Sequence, residues 1–168
     1  CLHSLGANQA RLKWPNDIMV ENRKLAGILL EAHQLDSSSP LVLLGVGINL
    51  AKADTLELPP EIMDRYLGLA EIVQAEENLH QEALHTLIRC LETRYNQWAN
   101  LGLEPLLPFW EENDWLRGHI IRATAEEGEI EGVVQGINEL GELQVQTPEG
   151  TSSIRSGEVQ RIRPISGQ

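Results

Sequence analysis

Two short segments near the start of the chain bring together residues able to handle a negatively charged ligand. The first is Lys13-Trp14-Pro15-Asn16-Asp17, the second Lys24-Leu25-Ala26-Gly27-Ile28-Leu29. A turn around Glu21-Asn22-Arg23 brings the second segment back beside the first, so Lys24 returns near Asn16 and Asp17. Two ammonium groups around one cleft suit a carboxylate or a phosphate. Asp17 has three open roles: pairing with a lysine, holding a magnesium ion, or taking a proton. Gly27 in mid-strand costs stability and marks a close approach by a ligand or by backbone. Taken singly, each residue has a plainer reading: a hairpin lysine, a turn aspartate, a bulge glycine.

A third segment, Gly45-Val46-Gly47-Ile48-Asn49-Leu50, places two glycines on one face of an apolar strand. It lacks the third glycine and helix start of a dinucleotide fingerprint and the lysine of a phosphate loop. Its glycines either open a slot for a flat ring or allow tight packing under a helix. Ser156-Gly157-Glu158-Val159, near the end of the chain, reads alone as a turn into an edge strand.

The elements that must position these residues are β structure first, then helix, then β structure again. Ala10–Trp14, Ile18–Val20 and Lys24–His33 read as strands. Gln34–Pro40 is a polar, Ser-rich loop, and Leu41–Leu50 is a nearly continuous apolar strand expected to be buried on both faces. Pro59-Pro60 breaks the chain before a short helix from Glu61. Leu79, Ala83, Leu84, Leu87, Ile88, Leu91, Tyr95 and Trp98 recur at helical spacing, and Asn78 with Gln81 resembles a capping box. Gly102 is a natural stop, and Pro105–Asn113 reads as a second, short helix. Residues 118–165 then read as five short strands, with turns at Asn138–Gly141 and Pro148–Gly150, which suggests a small closed barrel.

Composition narrows the function. Of 168 residues, 42% are hydrophobic and 23% charged, as in an ordinary folded protein. The net charge of −12 repels a phosphate backbone, which argues against nucleic-acid binding by this portion. Residues 1–33 are the exception, with four Lys/Arg against three Asp/Glu. Two cysteines make no disulfide framework, and the five histidines have no ligand spacing. No run is long and apolar enough for a membrane span and no signal peptide is seen, so the expected compartment is the cytoplasm.

In this order, Lys-Trp-Pro-Asn-Asp at 13–17, Lys-x-x-Gly-Ile-Leu at 24–29 and Gly-x-Gly-x-Asn at 45–49 resemble the biotin protein ligase family. The long helix, the region of Trp110 and Trp115, and the terminal Ser-Gly-Glu-Val are also similar, so the resemblance covers essentially the whole chain. It implies an α+β fold. A mixed sheet with helices, of the kind shared by biotin ligases and class II aminoacyl-tRNA synthetases, would span residues 1–115 without its N-terminal half. A small all-β, Src-homology-3-like barrel would span 116–168.

The implied reaction joins biotin and MgATP into biotinyl-5′-AMP and then acylates a lysine of a biotin carboxyl carrier domain, usually that of acetyl-CoA carboxylase. By position, Lys24 would contact the biotin carboxylate and the α-phosphate, and Lys13 would assist electrostatically. Asp17 would orient a magnesium ion or the incoming amine. Gly27, Ile28 and Leu29 would border the biotin ring, with Gly45 and Gly47 on its far side, and Asn16 and Asn49 would lie near the nucleotide. A homodimer is compatible with the resemblance.

The family's Gly/Arg-rich loop lies before the Lys-Trp-Pro-Asn-Asp motif and is not among the twelve residues that precede it here. The expectation is a chain that alone is inactive or self-associates. Three other readings remain: a non-catalytic biotin-binding remnant, a related lipoate ligase, and an interaction module built on the barrel. Residues 118–168, with eight acidic and four basic residues and no aromatic ring of Phe, Trp or Tyr, are a poor RNA surface.

Overall fold

The structure, a computed structural model, describes residues 1–34, 40–74, 78–125 and 128–163. The chain is α+β and divides into two compact units. One comprises Cys1–Ala10 and Asn16–Arg89; the other comprises Arg11–Pro15 and the chain from Cys90 onward. No helix among the described residues is long and apolar enough to cross a membrane.

The first unit is built on three antiparallel strands in sequence order, β2 (Asp17–Val20), β3 (Arg23–Gln34) and β4 (Pro40–Ile48). Strands β2 and β3 form the expected hairpin, with Glu21 rather than Asn22 taking the positive φ of 53°. A register shift between Ile18 and Met19 leaves Leu25 as an extra residue on β3. That bulge lets the successive residues Leu25 and Ala26 both be buried, where a regular strand would alternate. Leu25 joins Ala7, Ala10, Val20, Leu67 and Leu69 in one apolar core. Burying each such leucine contributes roughly 1.5–3 kcal/mol.

Strand β4 departs from expectation. Its run Leu41–Leu44 was expected to be buried on both faces, yet Leu41, Val42, Leu43 and Leu44 are all exposed, as are Leu29 and Leu30 on the neighbouring strand β3. An apolar run has the composition of a doubly covered strand, but coverage depends on partners, and no described element lies over this end of the hairpin. The expected loop Gln34–Pro40 lies mostly outside the described residues, since 35–39 are not among them.

Helix α1 (Pro60–Met63) starts at the second proline of the pair, with Pro59 as its N-cap, and the long helix α2 (Leu79–Leu101) ends at Gly102, whose φ of 73° and N–H bond to Trp98 O close it. The helical period was legible, but the face it buries was not. Ala83 and Thr86 are buried, whereas Leu84, Ile88, Leu91, Tyr95 and Trp98 form an exposed stripe.

The second unit contains helix α3 (Leu107–Asn113) and five antiparallel strands. They are β5 (Ile120–Ala125), β6 (Gly128–Ile137), β7 (Leu143–Thr147), β8 (Gly150–Ile154) and β9 (Glu158–Arg163), in the spatial order β8-β7-β6-β5-β9. Register shifts between Val134 and Gly136 and between Ile120 and Ile121 curl the sheet around its own core. That core comprises Leu116, Ile121, Ala123, Val134, Leu143, Val145, Ile154, Val159 and, from far away in sequence, Trp14. Strand β1 (Arg11–Lys13) carries Trp14 there: Leu12 bridges in parallel to Asp114, and Trp115 N–H donates to Leu12 O at 2.8 Å.

Candidate functional site

The site is assembled around the β2–β3–β4 sheet. In the register of the three strands, Asp17 lies opposite Gly27 and Gly27 lies opposite Gly47, so the three stand in one row on one face. The next pair on that face is Leu29 with Gly45. An added Cβ at Gly45 or Gly47 would meet nothing nearer than 3.7 Å, and neither glycine has a positive φ. Internal packing therefore does not demand glycine at these positions. Among the described residues, their effect is to keep the floor of a groove flat.

That groove, of about 470 Å³, is lined by Asn16, Asp17, Lys24, Gly27, Ile28, Leu29, Gly45, Val46 and Gly47. Lys24 lies across Gly27, where an added Cβ would fall 3.1 Å from both Cε and Nζ of the lysine. Its ammonium pairs with Asp17 Oδ1 at 2.5 Å. Half the lysine side chain remains accessible, so the cation is held in place without being withdrawn from the groove. The floor beside it is apolar and without side chains, which suits a flat, neutral ring bearing an anionic tail.

Asn16 extends the hairpin ladder. Its carbonyl accepts the Ile28 N–H at 2.9 Å and its side-chain amide donates to Ile28 O at 2.7 Å. Asn49 lies behind the lysine: its amide donates to Lys24 O at 2.9 Å and its own N–H donates to Leu25 O. The structure thus brings Asn16, Asp17, Lys24, Gly27, Ile28, Leu29, Gly45 and Gly47 to one groove and places Asn49 against the backbone of that groove's lysine. Lys13 does not line the groove. It belongs to the second unit, with its ammonium 6.0 Å from the centroid of the Trp115 ring.

The described residues do not form a resident metal site. Among the described residues no three His, Cys, Asp or Glu side chains gather as a ligand set, and the Asp17 carboxylate is engaged by Lys24.

A contribution that sequence reading missed comes from residues 65–71. Lys24 N–H donates to Arg65 O at 2.6 Å and Leu67 N–H donates to Lys24 O at 3.0 Å, so this segment runs as a parallel bridge beside the lysine. Its only sequence signals were the alternating Leu67 and Leu69 around Gly68, too short a pattern to read.

Comparison with known proteins follows the same division. Residues 3–49 match the Biotin/lipoate A/B protein ligase family, and residues 118–161 match the Biotin protein ligase C terminal domain. The chain is 30% identical over 152 residues to the bifunctional ligase/repressor BirA of Bacillus subtilis, a match covering 90% of this chain and 46% of the relative. It is 31% identical to the biotin–[acetyl-CoA-carboxylase] ligase of Mycobacterium tuberculosis, covering 90% of this chain and 53% of that one. The chain thus spans about half the length of these relatives. Among solved structures, the biotin protein ligase of Aquifex aeolicus in complex with biotin and ATP superposes with a TM-score of 0.77 at 27% identity, covering 91% of this chain and 62% of that one. The sheet segment and the terminal β domain thus each match a biotin protein ligase family model, in the order in which the chain aligns with these relatives.

Proposed function

We propose that this chain carries the lysine-bearing part of a biotin protein ligase active site. Residues 1–115 would form part of the catalytic domain and residues 116–168 its small barrel domain. The carrying observation is the Lys24–Asp17 pair set over the flat floor of Gly27 and Gly47. In this reading the ureido ring of biotin lies on the glycine floor beside Leu29, with the carboxylate directed at Lys24. A carboxylate oxygen attacks the α-phosphorus of ATP, forming the mixed anhydride biotinyl-5′-AMP while the bond to pyrophosphate breaks. Charge builds on the α-phosphate during attack, and a cation already fixed in position stabilises it without reorganisation.

In the second step a lysine amine of a biotin carboxyl carrier domain attacks the acyl carbon, AMP leaves, and the amine loses a proton. Asp17, beside Lys24, would orient that amine. Asn16 and Asn49 border the nucleotide through the strand ends they hold. ATP and biotin are substrates, and magnesium arrives with ATP. The cytoplasm is the compartment that supplies ATP and the carrier.

Calorimetric titration of the 168-residue chain with biotin tests this assignment. Saturable one-to-one binding is expected, and Gly47→Leu, which fills the floor, is expected to remove it. Absence of saturable binding, or equal binding by Gly47→Leu, would overturn the placement of biotin in this groove.

A further inference from the structure

Lys24 is flexible along its side chain, so its position depends on how firmly its backbone is held. Three hydrogen bonds do this: Lys24 N–H to Arg65 O, Leu67 N–H to Lys24 O and Asn49 Nδ2 to Lys24 O. The two holding segments are themselves laced together, since Leu69 N–H donates to Asn49 O at 2.8 Å and Ala70 N–H to Leu50 O at 3.0 Å. Tyr66 Oη–H adds a bond to Ala51 O. At Gly68 the two chains approach so closely that an added Cβ would overlap the Ala51 carbonyl.

One side chain ties this assembly to the strand that carries the lysine. Glu71 closes the short 3-10 turn Leu69–Glu71, and its Oε1 accepts the Gly68 N–H at 2.9 Å and the Ala53 N–H at 3.3 Å. Its Oε2 accepts from Arg23 Nη1 at 3.1 Å. Arg23 is the neighbour of Lys24 on β3. A single carboxylate therefore joins three segments that meet behind the groove: the start of β3, the chain after β4, and residues 66–71. Charge-assisted bonds of this kind are roughly twice as strong as neutral ones.

We propose that Glu71 is a positioning residue for Lys24: by joining Arg23, Ala53 and Gly68 it locks the backbone ladder that sets the lysine ammonium against Asp17 over the groove. The assignment deepens the ligase reading, on which the purpose of the lock rests, but the geometry it describes is measurable without turnover.

The chain contains three lysines, Lys13, Lys24 and Lys52, so its side-chain ammonium groups give a simple nitrogen NMR spectrum. With 15N-lysine label, the Lys24 signal is assigned by its loss in Lys24→Arg. It is expected to be distinct and to move when Asp17→Asn removes its partner. Glu71→Gln, which keeps an oxygen acceptor but loses the charge, is expected to move the Lys24 signal in the same direction and broaden it, leaving Lys13 unchanged. Arg23→Gln removes one of the three ties and is expected to act likewise but less, which keeps the test open if Glu71 variants fold poorly. A Lys24 signal unmoved in a folded Glu71→Gln chain would overturn the proposal, as would a wild-type chain whose Lys24 signal is indifferent to Asp17→Asn. Failure to bind biotin with the expected Lys24 shifts intact would sink the ligase placement and leave the positioning role standing.

Discussion

Lys24 and Gly27 share one face of the sheet although three residues apart on one strand, a spacing that regular alternation would send to opposite faces. The extra residue, Leu25, restores the common face, and the missing side chain at 27 gives the lysine room to lie flat toward Asp17. Gly27→Ala places a methyl group 3.1 Å from Lys24 Cε and Nζ, and the lysine end, being flexible, gives way. The expected change in stability is about 1 kcal/mol or less. Loss of adenylate formation should be larger, on the order of 10- to 100-fold, because the cation is displaced from its working position. Urea unfolding of the chain, alongside biotin-dependent pyrophosphate release in a ligase preparation with measurable turnover, measures both, and equal activity with wild type would refute the constraint.

Lys24→Ala removes the cation from the groove while leaving its backbone bonds to Arg65, Leu67 and Asn49 in place. The expected result, in a ligase preparation with measurable turnover, is a fall in kcat for adenylate formation of roughly 100-fold or more, with the unfolding transition preserved. Wild-type turnover would remove Lys24 from the mechanism.

Trp14 stands in the core of the second unit, with its indole N–H donating to Gly141 O at 3.0 Å. Trp14→Phe keeps most of the packing and loses that bond, for an expected cost of about 0.5–1.5 kcal/mol. Trp14→Ala leaves a cavity, for about 3–5 kcal/mol. Chemical denaturation of the two variants distinguishes them, and near-equal costs would mean that packing is not what Trp14 supplies.

Two carboxyl groups give opposite pH signatures. Burial raises the Glu71 carboxyl, but donors from Gly68, Ala53 and Arg23 outweigh it and hold the group below its usual value; the same carboxylate, after burial, helps push Tyr66 up. Its contribution to stability is complete above the unfolded glutamate value of about 4.3 and is lost as pH falls through the lower native value. The difference between wild type and Glu71→Gln should therefore be flat near neutrality and shrink in acid.

Asp114 behaves in reverse. Burial pushes its carboxyl up, outweighing the Leu116 N–H, the Trp110 indole and Arg117, which pull it down. The stability it contributes is present below the unfolded aspartate value of about 3.9 and lost as pH rises through the raised native value. Asp114→Asn should gain on wild type as pH rises, by thermal unfolding across the range. A constant difference would contradict the assignment.

The uncharged β4, with Leu41–Leu44 exposed, predicts concentration-dependent self-association of the isolated chain. Val42→Lys should reduce it in sedimentation velocity experiments. A wild-type chain that stays monomeric at all concentrations would show that these faces are covered by other means.

The sequence by itself determined the elements and most of the groove. Turn residues, the 3.6-residue period of α2 and the five alternating segments after Gly118 are local signals, set by backbone preference and patterning. The cluster of Asn16, Asp17, Lys24 and Gly27 was legible because a hairpin brings together residues close in sequence. Tertiary structure alone decided the rest. The Leu25 bulge that turns Lys24 toward Asp17, the docking of residues 65–71 on Lys24, the tie made by Glu71 and the burial of Trp14 among residues more than a hundred positions away are long-range contacts without local periodicity. Whether an apolar stretch such as Leu41–Leu44 is buried likewise depends on what packs over it, which hydrophobic patterning does not encode.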